Sequence, residues 1–358
     1  MRHTALSLLL MPTLVLAQPQ ISNSGFETWT GLGGATEEPS EWSSIKTSDG
    51  GSLINQLAPQ VCWQDADAHT GSYSVRLETV SAIIGAANGI ITTGRVHAEL
   101  TPENGYVFTD QGNTQWNQAM TSRPDSMIGW YKAMPNAGDH GKVEIILHTG
   151  AGSIPENGTF GNWVGRARWE PASATVTTWT RFSVPFFYYN SNTPQWALAA
   201  LTAGDSLVST VGTKAWYDDI GLIYNINAVP STNVAMVTGG MGFNFTIDWS
   251  TGGAPLFASN FTAELSDASG SFASPTTIGV QNTANASGTI NCTIPAGTPA
   301  GTGYKVRVRN ASSFYAPVPV NMTISSDQVL VSAKLFLDGP YDNGSQTMTD
   351  QLRAGGLI

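Results

Sequence analysis

The sequence predicts an all-β protein built of two β-sandwiches, and three observations carry that expectation. Charged residues make up only 12% of the chain, while 38 glycines and an abundance of Ser, Thr and Asn supply turns. An ordinary soluble domain is about one-quarter charged, so polar but uncharged surfaces are expected here. Apolar and polar residues alternate over short runs, the period of a half-buried strand. No window sustains an apolar i, i+3, i+4 pattern long enough for a major helix. Frequent Gly and Pro set a rhythm of short strands that favours sandwiches over a parallel α/β sheet.

Residues 1–17, "MRHTALSLLLMPTLVLA", read as an export signal. Arg2 and His3 form the charged start, Leu6 to Leu16 the apolar stretch, and small residues allow cleavage after Ala17. The apolar run is too short to span a bilayer, so the mature chain is expected to be secreted or at the cell surface, without membrane insertion.

From 21 to 226 the pattern is strand, turn, strand. In "GSYSVRLETV" Tyr73, Val75 and Leu77 alternate with Ser72, Ser74 and Arg76, and "KVEIILHTG" sets Val143, Ile145 and Leu147 against Glu144, Ile146 and His148. "TRFSVPFFYYN" and "KAWYDDIGLIYN" are further strands. "NINAVPSTN" reads as a short linker, after which Trp249 is the one remaining tryptophan. From 229 to 326, runs such as "NFTIDWS" and "GYKVRVRNAS" have the strand length and turn spacing of an Ig-like β-sandwich. The C-terminal segment 327–358 is too short to build its own core.

The net charge of −10 and the lack of any basic cluster argue against nucleic acid as a partner. Cys62 and Cys292 fall in different modules, so no internal disulfide is expected and both read as inert. The five histidines show no metal-ligand spacing, and neither G-x-S-x-G nor H-E-x-x-H occurs.

The first module opens with "NSGFETW", continues with "PSEW" and "HTGSYSVRL", and closes with "WYDDIGLIY". In this order it resembles jelly-roll carbohydrate-binding modules, and most of all the carbohydrate-metabolism domain of secreted Bacteroidota proteins. The second module, with "NFTAELSDASGSFASPTTIG" and "CTIPAGTPAGTGYKVRV", resembles an Ig-like repeat of large exported proteins of the same bacteria. The tail from Lys334 is similar to a segment that runs further in those proteins. The resemblance implies a jelly roll over 21–226 whose first and last strands are neighbours, bringing Glu27 to Asp218 and Asp219. It also implies a structural Ca²⁺ at that corner, held by Glu27 and Asp218 with Asp219 as alternate, a set of hard oxygen ligands. Neighbouring strand residues face opposite ways, so one aspartate alone should point inward. The alternative is that Glu27 bonds backbone amides and both aspartates are solvated.

Ten of the eleven tryptophans precede the linker. Sugars present C–H faces that stack on indole rings, so the expected partner is a polysaccharide or cell-surface glycan. Most of these rings should fill the core. Trp116 and Trp163 lead the candidates for a sugar platform, with Trp169, Trp196, Arg166 and Arg168 beside them. Glu144, sharing a face with His148, is the weak catalytic candidate for the alternative of a polysaccharide-acting glycoside hydrolase on a concave sheet. A third possibility is a structural or adhesive surface protein without a small ligand.

Overall fold

The computed structural model describes residues 18–205, 209–237 and 241–326. The export-signal reading of 1–17 and the C-terminal segment 327–358 lie outside the described residues. The regular structure of the described residues is nearly all strand, with one short α-helix, Gly51–Leu57, and no helix long and apolar enough to cross a membrane.

Two antiparallel sheets face one another in the first module. One runs Val176–Pro185, Ser126–Met134, Lys214–Pro230, Ser74–Glu78, Cys62–Asp65, each strand pairing with the next. The other runs Gln118–Ala119, Trp196–Thr202, Lys142–His148, Trp163–Trp169, Phe187–Tyr188. Val143, Ile145 and Leu147 meet Val75, Leu77, Tyr217 and Phe182 between them, as the alternation predicts. Burial of these side chains is the main stabilising term, about 1.5–3 kcal/mol for each large apolar one.

The second sheet is covered on its far side as well. Arg95–His97, Tyr106–Phe108 and Ser153–Ile154 form a small sheet, and Val96, Val107 and Ile154 pack on Ile146, Leu198 and Trp163. Lys142–His148 is therefore buried at all seven positions, where the sequence pattern suggested one polar, open face. A strand buried on both sides is a near-continuous apolar run, and "VEIIL" matches that reading too.

No linker separates the two sandwiches at "NINAVPSTN". Lys214–Pro230 is one strand of 17 residues that changes partners along its length. It pairs with Ser126–Met134 up to Ile223, with Tyr315–Pro317 over Tyr224–Ile226, and with the Phe243–Thr251 strand from Ile226 to Pro230. Asn225 and Asn227 look like turn residues, yet they occupy the outward positions while Tyr224, Ile226 and Ala228 are buried. In the second module Phe243–Thr251 pairs with Ser287–Ile294, against a sheet ordered Val234–Val237, Val320–Ser326, Gly301–Asn310, Ser259–Leu265, Thr276–Thr283. Trp249 stacks on Phe261 in this core, ring centroids 3.8 Å apart.

The opening "ISNSGFETWT" begins as a turn, with only Trp29–Thr30 forming a short strand against Glu38–Pro39, where a first strand beside the last was expected. Asn23 fixes it, its amide donating to the carbonyls of Thr28 and Ser40 at 2.9 Å. Phe26, at φ 52°, drives its ring into the core beside Trp42. The turn does reach the Lys214–Pro230 strand, because Ile220 N–H donates to Ser24 O at 3.1 Å.

Candidate functional site

The outward face of the first sheet carries a row of rings and cations. The pairing sets Trp63 opposite Arg76, Arg76 opposite Trp216, and Trp216 opposite Lys132. The Arg76 guanidinium lies 4.4 Å over the Trp63 ring, and the Lys132 ammonium lies 5.0 Å over Trp179 and 5.8 Å over Trp216. Ring and charge thus alternate across five neighbouring strands. Each such contact contributes roughly 0.5–1 kcal/mol when exposed. All three indoles keep part of their surface in solvent.

Two aspartates fix the polar tips of this row. Trp216 Nε1–H donates to Asp65 at 2.8 Å and Trp179 Nε1–H to Asp67 at 3.1 Å. Asp67 also bonds the Lys132 ammonium, and that hydrogen bond holds its carboxyl below the usual carboxylate range. Asp67 belongs to the 66–73 loop, which folds over the next row of the sheet. There the His69 ring stacks on Trp130, centroids 3.7 Å apart and 15° from parallel.

Three carboxylates clasp that loop. Glu27 Oε1 accepts from the backbone N–H groups of Ser72 (2.9 Å) and Tyr73 (3.2 Å). Asp218, fully buried, accepts from His69 N–H at 2.7 Å and Thr70 N–H at 3.3 Å. Asp219 accepts from His69 Nδ1–H at 2.7 Å and from the Thr70 hydroxyl at 2.8 Å. Burial, with the Asp219 charge adding to it, raises the Asp218 carboxyl from 3.8 to about 7.

Both aspartates engage the same loop, where strand alternation allowed one. The cause is a bulge: Ile128 pairs with Gly221 but Trp130 pairs with Asp218, so the long strand carries an extra residue. Asp219 takes φ 49° there, which re-aims its side chain. Glu27, Asp218 and Asp219 therefore all bond the 66–73 loop. Their donor set does not suit Ca²⁺ in this arrangement, because the oxygens a cation needs already face N–H and O–H donors. Among the described residues no group of three or more His, Cys, Asp or Glu is arranged to hold a metal.

The residues singled out as a sugar platform lie elsewhere. Trp116 and Trp163 are only 8% and 4% exposed, and Trp163 is part of the small core under the second sheet. Trp169 stacks on Phe182 at 4.2 Å and meets Tyr131 edge-on, so it too packs on the core. Trp196 is half-buried where its strand pairs with Gln118–Ala119. Arg168 bonds Glu170, and Arg166 Nε donates to Glu144 at 2.7 Å. Glu144, 2% exposed, also lies 3.5 Å from the Lys142 ammonium, so it is a buried ion-pair member beneath a covered face. His148 on that face is buried between the Thr109 hydroxyl (2.8 Å) and Gly150 O (3.1 Å).

Sequence reasoning passed over Trp63, Trp130, Trp179 and Trp216, the tryptophans of the outer face. One signal marks them. Each is followed two residues on by a charged residue, namely Asp65, Lys132, Arg181 and Asp218, and i, i+2 share a strand face.

Comparison with known proteins finds no matching family model and no matching curated protein. Among solved structures the chain is similar to an adhesin domain of Lys-gingipain from Porphyromonas gingivalis, at 14% identity and TM-score 0.30, over 57% of this chain and 98% of that one. It is similar to the adhesin domain of Epf from Streptococcus pyogenes at 9% identity and TM-score 0.30, over 76% of this chain and 82% of that one. A third likeness, to an arabinose-bound α-L-arabinofuranosidase, has 11% identity and TM-score 0.28 over 45% of this chain, and spans only 21% of that enzyme. At these scores the likenesses carry neither fold nor function, which rest on the strands and side chains themselves.

Proposed function

We propose that this chain is an exported, non-catalytic glycan-binding protein of the cell surface, and that its contact area is the outer face of the first sheet. The observation that carries this reading is the ordered row Trp63–Arg76–Trp216–Lys132–Trp179, whose three indoles are part-exposed, with Trp179 and Trp216 pinned at their N–H groups and Lys132 buried between them. A saccharide offers C–H faces to rings and hydroxyls to charged groups. A platform already locked by cation–π contacts and Asp65 and Asp67 loses little side-chain entropy on binding. The acids of this face are engaged with indoles, cations or loop amides, and Glu144 is buried in ion pairs, so among the described residues this face and the Glu144 strand offer no free carboxylate pair for glycoside hydrolysis.

A glycan array probed with the mature chain tests the reading. Trp179→Ala and Trp216→Ala should remove the signals, and retention of every signal in both variants would sink it. A second reading, adhesion through protein contacts, draws on a different patch. Phe160, Phe187 and Tyr189 are 47%, 66% and 37% exposed, with neighbouring centroids 5.1 Å apart. Their rings meet edge-on rather than in a plane, which suits an irregular apolar partner better than a sugar ring. An empty array would leave this reading standing.

A further inference from the structure

The ring-bearing face carries one cation that the protein leaves unengaged. Every other described arginine has a carboxylate or carbonyl partner. Among the described residues Arg181 makes no hydrogen bond, ion pair or ring contact, and it is exposed. Its strand, Val176–Pro185, is the outermost of the sheet, so among the described residues nothing pairs with it on its far side.

The position of Arg181 is set by register. It lies opposite Trp130 and two residues beyond Trp179, so all three stand on the outward face. Residues i and i+2 of a strand are about 6.5–7 Å apart, a span that a long arginine side chain can shorten or extend. The neighbouring acids are already engaged: Asp67 bonds Lys132, Asp219 bonds His69, and Asp218 accepts loop N–H groups. Arg181 is therefore a cation without an acid of its own, exposed beside part-exposed rings.

We infer that this face selects carboxylate-bearing saccharides, with a uronic-acid ring lying on Trp179 and its carboxylate on the Arg181 guanidinium. The inference rests on the glycan-binding reading of the face and adds the ligand class. A planar guanidinium fork matches a carboxylate bidentately, and the charge-assisted bond is stronger than one to a hydroxyl. A neutral sugar would use the rings and leave Arg181 idle.

The test is titration calorimetry of the mature chain with oligogalacturonate and oligomannuronate, each alongside its methyl ester, which keeps the ring and removes the charge. The acid form of at least one should bind about tenfold more tightly than its ester, and the gap should narrow as salt is added. Arg181→Gln should bring the acid down to the level of the ester and leave the ester unchanged, with an unaltered melting temperature. Trp179→Ala should weaken both. Equal binding of acid and ester, or an equal effect of Arg181→Gln on both, overturns the carboxylate assignment and leaves the glycan reading intact. Failure of acids and esters alike to bind overturns the assignment, and the array of neutral glycans then decides the reading beneath it.

Discussion

The backbone N–H of His69 donates to Asp218 Oδ2 at 2.7 Å, joining residues 149 positions apart. That bond anchors the loop whose next layer of contacts, His69 on Trp130 and Asp67 on Lys132, builds the ring-bearing face. It also places a carboxyl in a buried site beside a second acid, which lifts it to about 7. Between about pH 4 and 7 the unfolded chain has lost this proton and the folded chain keeps it. The folded state then binds more protons, so this group's contribution falls as pH rises through the window and is fully lost above it. A tenfold difference in proton affinity between the two states corresponds to about 1.4 kcal/mol. The measurement is the urea-unfolding free energy of wild type minus that of Asp218→Asn, whose amide oxygen can still accept a loop N–H. This difference should fall steadily from pH 4.5 to 7.5. A constant difference would mean that the carboxyl titrates as in water.

His148 shifts in the opposite sense. Burial pulls its imidazole from 6.5 down to about 4. Below pH 6.5 the unfolded chain takes up a proton that the folded chain refuses, so this contribution to stability is lost as pH falls toward 4. Over the shared window the two groups offset one another, and the wild-type profile should be flatter than that of Asp218→Asn. Nitrogen-15 NMR at pH 5.5 should find His148 neutral with its proton on Nδ1, donating to Gly150 O, and Nε2 accepting from Thr109. A doubly protonated ring at that pH would refute the assignment.

The alternation of "SVRLE" and "VEIIL" made the two facing sheets legible, because period two is set by backbone geometry alone. The cover over Glu144 was not legible. It comes from Arg95–His97, Tyr106–Phe108 and Ser153–Ile154, strands of two or three residues too short to show a period. The meeting of Glu27 with Asp218 and Asp219 was expected, but the bulge at Asp219 is a register event between two strands that neither strand announces. Tryptophan burial was misjudged for a related reason. Trp116 in "TQWNQ" and Trp163 in "FGNWVGRARWE" are buried despite their polar neighbours, and the informative neighbour is the residue two positions on, which shares the ring's face.

That distinction predicts two classes of tryptophan variant. Trp163→Ala removes a buried ring packed against Val107, Ile146 and Ile154, and should cost about 3–5 kcal/mol in urea unfolding. Trp179→Ala removes a part-exposed ring over Lys132 and should cost about 1 kcal/mol, the size of a surface cation–π contact and its small burial. The effects on ligand binding should run the other way, with Trp179→Ala impaired and any folded Trp163→Ala molecules unimpaired. Equal destabilisation by the two would show that the outer row is as much a part of the core as Trp163.

Gly71 tests the clasp itself. It sits at φ 71°, and a Cβ there would strike the Glu27 carboxylate that holds the Ser72 and Tyr73 amides. Gly71→Ala therefore meets two penalties at once, the left-handed backbone and the displaced acceptor, and should destabilise by about 1–3 kcal/mol. Glu27→Gln keeps one acceptor oxygen and should do less, while Glu27→Ala leaves the amides to water and should fall near Gly71→Ala. Because the carboxylates face N–H donors, the melting temperature should be the same in EDTA and in millimolar Ca²⁺ for wild type and for all three variants. A ligand that binds only the folded state at a hundredfold excess over Kd would add about 2.7 kcal/mol. A rise of that size in wild type, abolished by Glu27→Ala, would show instead that a cation displaces the amides and that the corner closes around it.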